Sequence, residues 1–114
     1  MVIKGQALPQ ETRQRMGGGE GSVTICHIEK ALLPPAGRLF ARVTLPPGAS
    51  IGAHTHTGEA EVFYFIAGEG LVTDDGETVP VQAGDAMTTP SGHSHSVQNT
   101  GTVDLVLIAA IIKE

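Results

Sequence analysis

Turn signals punctuate this chain at intervals of about ten residues: Pro46-Pro47-Gly48, Thr57-Gly58, Gly68-Glu69-Gly70, Asp74-Asp75-Gly76, Pro90-Ser91-Gly92 and Asn99-Thr100-Gly101. Between and around them lie short segments rich in Val, Ile, Thr and Phe: Ser22–Ile28, Arg38–Leu45, Glu61–Ala67, Leu71–Thr73, Thr78–Val81, Asp85–Thr89, Ser94–Gln98 and Val103–Ile112. No segment carries a sustained 3.6-residue apolar period, so the rhythm predicts an all-β sandwich or barrel. Asp75-Gly76 predicts a tight type I′ hairpin, because both residues tolerate the positive φ that the turn demands.

The chain has 114 residues, enough for one domain. Folding a chain of this size removes about 11,000 Å² from water, so its core needs no disulfide staple. The single Cys26 agrees, and it lacks the basic surroundings that activate a thiolate. Residues 1–21 read as a short N-terminal extension with a flexible glycine-rich loop, and residues 22–114 as the barrel domain. Leu32-Leu33-Pro34-Pro35 places a crossing loop between the first two strand segments, since paired prolines suit neither a central strand nor a helix interior.

One cysteine and an N-terminus without an apolar stretch point to the cytoplasm. Leu105–Ile112, the longest apolar run, is far short of the roughly 20 residues needed to span a bilayer. Seven basic against twelve acidic side chains, and few aromatics for base stacking, argue against a nucleic-acid partner.

Four of the five histidines, at positions 54, 56, 93 and 95, fall in the central part of the chain. His54 and His56 are two apart, so on an extended strand both rings face one side and can share an ion. Glu61 would face away on an unbroken strand, but the Thr57-Gly58 turn resets the register and can return it beside the rings. His95, from a strand distant in sequence, can complete the set from the opposite side. Three neutral imidazoles and one carboxylate leave up to two octahedral positions open.

The spacings Gly48-x5-His54-x-His56-x4-Glu61-x6-Gly68 and Gly84-x5-Pro90-x-Gly92-x2-His95-x3-Asn99, separated by fifteen residues, resemble the two sequence motifs of the cupin superfamily element by element. The resemblance implies a double-stranded β-helix, or jelly roll, of the small single-domain type. It implies one divalent metal ion on His54, His56, Glu61 and His95, with Mn or Fe favoured and Ni, Co or Zn allowed by the donor types. It also admits dioxygenase, decarboxylase or isomerase chemistry on a small oxygenated compound, with a non-catalytic binding or sensing module as the alternative, because one scaffold hosts many functions.

Around the ion, strand parity nominates Phe63 and Phe40 as pocket walls, Arg42 as a partner for a substrate carboxylate, and His93 as a proton donor or acceptor. Leu105–Ile112 does not alternate, which implies burial on both faces and a homodimer packed sheet on sheet.

Overall fold

The segments that alternate apolar and polar residues pair into sheets in a computed structural model that describes residues 1–114. The strands are β1 (Gln10–Gln14), β2 (Ser22–His27), β3 (Gly37–Leu45), β4 (Ser50–Thr55), β5 (Glu59–Ala67), β6 (Glu69–Asp74), β7 (Glu77–Gln82), β8 (Ala86–Thr89), β9 (Ser94–Asn99) and β10 (Leu105–Lys113). Three short 3₁₀ turns, and no α-helix, accompany them. No helix is therefore long and apolar enough to cross a membrane.

A six-stranded sheet has the order β1-β2-β3-β10-β5-β8, and a four-stranded sheet the order β4-β9-β6-β7. All pairs are antiparallel. Alternation along each strand sends one set of side chains inward, where Val23, Leu45, Phe65, Val97, Leu105 and Leu107 are fully buried between the sheets. The β6–β7 hairpin turns through Asp75 (φ 49°) and Gly76 (φ 85°), the double positive φ expected there.

Asn99 holds the end of the barrel together. Its buried Nδ2 donates to the carbonyls of Leu45 and Val103, both at 2.8 Å, and its Oδ1 accepts from the Gly101 amide at 2.9 Å. One buried side chain thus satisfies its own amide by bridging three backbone groups.

Two features differ from the sequence expectation. The run Leu105–Ile112 is not buried on both faces: Leu105, Leu107, Ala109 and Ile111 face the core, whereas Val106, Ile108 and Ala110 are only half-buried on the outer face. The inner side obeys period-two alternation, and apolar residues on the outer side hide it in the sequence. The N-terminal residues, in turn, supply β1, which pairs with β2 from Gln10↔Cys26 to Gln14↔Ser22.

The glycine run that follows β1 is fastened down. A Cβ on Gly19 would overlap the Ser50 carbonyl, and one on Gly52 would overlap the carbonyl of Gly17. Only glycine at these places lets the Met16–Gly18 turn lie directly on β4.

Candidate metal centre

His54 lies on β4 directly opposite His95 on β9, and His56 follows just beyond the end of β4. Glu61 enters from β5, in the other sheet. The turn through Gly58 (φ 74°) separates His56 from β5, and its amide donates to Ser91 Oγ at 2.9 Å, which ties it to the loop before β9. The register reset read from Thr57-Gly58 is therefore present, and it carries Glu61 back to the histidines.

The four donor atoms lie within 4.8 Å of one another. His95 Nε2 is 3.1 Å from His54 Nε2 and 3.3 Å from His56 Nε2. Glu61 Oε1 is 2.8 Å from His56 Nε2, 2.9 Å from His95 Nε2 and 3.8 Å from His54 Nε2. His56, Glu61 and His95 are buried, and His54 is partly so.

The outer nitrogen of each ring explains why Nε2 is the one left free. His54 Nδ1 donates to the Gly52 carbonyl at 2.9 Å, and His56 Nδ1 donates to Glu59 Oε1 at 3.1 Å. His95 Nδ1 is 2.8 Å from the buried Thr89 hydroxyl, which can accept from it. A carbonyl and a carboxylate can only accept, so the neutral rings of His54 and His56 must carry their proton on Nδ1 and turn a bare lone pair inward. Phe63 stacks on His95 with centroids 4.9 Å apart and planes at 18°, which fixes that ring as well.

Bare nitrogen lone pairs about 3 Å apart beside a buried carboxylate repel one another unless a cation or a proton sits among them. The donor chemistry therefore fits a divalent ion held by His54, His56, Glu61 and His95. The charge preferences agree. Burial raises the Glu61 pKa, but hydrogen bonding with His54 and His95 and the charges of His95 and His56 outweigh it and bring the value to about 2. The Glu61 carboxylate raises the His54 pKa above its ordinary value, against the lowering by burial.

Three of the four, His54, His56 and Glu61, line a cavity of about 200 Å³ between the sheets, with His95 behind them. Phe63 lines it, as its parity predicts. The other three pocket expectations do not hold in the structure. Phe40 and Arg42 lie on the outer face of β3, because Leu39, Ala41, Val43 and Leu45 are its inward set. His93 points outward from the loop before β9 and pairs with Asp75, which raises the pKa of the imidazole. The Pro90–Gly92 turn breaks the strand parity between His93 and His95.

Arg13, Arg38 and Glu59 were not singled out in the sequence. Arg13 and Arg38 reach the cavity wall, and Glu59 joins Arg38 to His56 through hydrogen bonds of 2.5 and 2.8 Å from the guanidinium.

Comparison with known proteins places the chain among proteins of this architecture. The family model described as Cupin domain matches residues 41–111. The oxalate-binding protein of Thermotoga maritima is 45% identical over 113 residues, which cover 98% of this chain and 93% of that protein. A Thermotoga maritima crystal structure described as a predicted oxalate decarboxylase superposes with a TM-score of 0.95 at 44% identity, over 100% of both chains. The cupin domain of Schizosaccharomyces pombe Cnp3 shares the fold, at 17% identity and a TM-score of 0.75, over 91% of this chain and 69% of that one.

Two outcomes follow from the donor geometry. Metal retention should fall as the pH is lowered from 8 to 5, because protons compete for the imidazoles while Glu61 stays ionised throughout; retention that is flat across this range contradicts the assignment. Glu59→Gln, which removes the carboxylate that orients His56, should weaken metal binding by about tenfold without unfolding the protein, as followed by competition with a chelating dye.

Proposed function

The chain belongs to the cupin family, and on that footing we propose that it binds a small carboxylate compound, of the oxalate type, at a divalent metal ion. The observation that carries this reading is the convergence of three Nε2 lone pairs and one carboxylate at the wall of a small, otherwise largely apolar cavity. A volume of about 200 Å³ suits a ligand of a few heavy atoms and is too small for a sugar chain or a nucleotide. The name of the Thermotoga relative, an oxalate-binding protein, points to the same kind of ligand.

Imidazole and carboxylate donors without a thiolate suit Mn or Fe, ahead of Ni, Co or Zn. When bound, such an ion supplies Lewis acidity and open coordination positions for ligand oxygens. The protein's own contribution is positional. Gly52, Glu59 and Thr89 hold the rings, Phe63 packs on His95, and apolar side chains form most of the cavity wall.

A catalytic role is the second reading, as a dioxygenase, decarboxylase or isomerase. The feature that favours it is the donor set, which fills only four positions of an octahedral ion. Beyond the metal ligands, the cavity wall carries no side chain that could exchange protons near neutral pH, and this weights the proposal toward binding.

The partner we propose is a second copy of the chain, in the cytoplasm, with no part for nucleic acid or membrane. On the outer face of the six-stranded sheet, Phe40, Tyr64 and Ile66 are 44%, 51% and 44% exposed. Ala110 sits between Phe40 and Val62 in the ladder, and Ile108 between Arg42 and Tyr64, so the apolar surface runs over β10 and β5 and is bordered by Arg42. Light scattering at micromolar concentration should give twice the chain mass, and a monomer there would rule the dimer out.

Isothermal titration with oxalate tests the principal reading. Protein loaded with Mn should bind about one oxalate per ion, and chelator-treated protein none. Oxalate binding that is unchanged by metal removal contradicts it, and carbon dioxide release or dioxygen uptake by the loaded protein would replace it with the catalytic reading.

A further inference from the structure

Fourteen residues line the cavity, and nine of them are hydrophobic. Of the other five, His54, His56 and Glu61 belong to the metal centre. The remaining two are Arg13 and Arg38, both cationic. No serine, threonine, asparagine, glutamine or tyrosine offers a neutral hydrogen bond to a ligand in this space. The two arginines could donate to any ligand oxygen, but their charge-assisted hydrogen bonds favour an anion over a neutral diketone or over a polyol, whose hydroxyl protons would find no neutral acceptor in this wall.

Arg38 reaches the cavity through a defect in the sheet. Along β3 it shares even parity with Phe40 and Arg42, which face outward. In the ladder with β10, however, Ile111 pairs with Leu39 and Ile112 with Gly37, so Arg38 is the residue passed over. A bulge of this kind breaks the alternation and re-aims the side chain. Glu59 then grips the guanidinium through Nε and Nη2, which leaves its other N–H groups free.

Arg13 comes from β1, where it stands opposite Val23 and pairs with Glu11 at 2.8 Å. Its place is set by the segment that follows. The Met16–Gly18 turn lies on β4 against Gly52, the residue whose carbonyl orients His54, and Met16 packs on the core. The N-terminal segment is thus part of the cavity wall. Glu11 and Glu59 hold the two arginines and do not themselves line the cavity.

Resting on the proposed metal-dependent binding of a small carboxylate, we infer that Arg13 and Arg38 select the ligand: a short anion with acceptor oxygens beyond those that chelate the ion, such as a dicarboxylate or an oxo acid. The guanidinium groups would take the ligand oxygens that a bound ion leaves free. The N-terminal segment therefore carries a specificity-determining residue, and its β1 strand is needed for ligand choice.

The test compares two probes on Mn-loaded protein by isothermal titration. Oxalate has oxygens left over after chelation, whereas acetohydroxamate has a methyl group and an N–H behind its two ligating oxygens and no further acceptor. Arg13→Met and Arg38→Met retain the aliphatic stem. Compared per bound Mn, because Arg38 also holds Glu59 against His56, each substitution should weaken oxalate by about tenfold or more while acetohydroxamate stays within about twofold. Wild-type oxalate affinity in both variants and in the double variant overturns the arginine assignment alone. Equal losses for the two probes overturn it as well, since they would mark a structural role. If the wild-type loaded protein binds acetohydroxamate but not oxalate, the carboxylate reading itself falls, and the inference with it.

Discussion

Three imidazole nitrogens and a carboxylate oxygen crowd one point between two β-sheets, and the polar architecture of the barrel interior is organised around that crowding. His54 and His56 turn a bare nitrogen inward because an acceptor holds the proton on the other side, the Gly52 carbonyl and Glu59, and the Thr89 hydroxyl can do the same for His95. Such a cluster is unfavourable in a dry interior unless positive charge occupies its centre. The low pKa of Glu61 and the raised pKa of His54 express the same demand.

The fold meets this demand by bringing the donors from two sheets. The four-stranded sheet places His54 opposite His95, the turn at Gly58 returns the chain to the six-stranded sheet, and Glu61 arrives there facing the rings. Local departures from regular pairing occur where the site needs them. The β4–β9 ladder shifts register between Ile51 and His54, and the β3–β10 ladder passes over Arg38. Bulges of this kind turn side chains that strict alternation would send elsewhere.

Much of this was legible in the sequence. Turn spacing located most of the strands, and the two glycine-punctuated motifs located the four donors, because both depend on local chemistry: positive φ, a short apolar run and period-two spacing. The remainder depends on tertiary context. β1 is the polar edge segment Gln10–Gln14, with no apolar alternation to announce it. Alternation in β3 was readable, but which parity faces the core was not, so Phe40 and Arg42 were placed inside when Leu39 and Val43 are. No residue marks the bulge that exposes Arg38 to the cavity, and Glu59 gains its meaning only once the turn at Gly58 folds it back on His56. The outward turn of His93 toward Asp75 is likewise a product of the loop geometry.

Family membership and the four-donor cluster describe what the scaffold holds, and the cavity wall argues for what it receives. The central claim is that one ion sits on three imidazoles and one carboxylate. X-ray absorption spectroscopy of the Mn-loaded protein tests it most directly, since imidazole rings add a distinct outer-shell scattering signature. The account predicts three imidazoles per bound ion, dropping to two in His95→Ala; a coordination shell made of oxygen alone would contradict it.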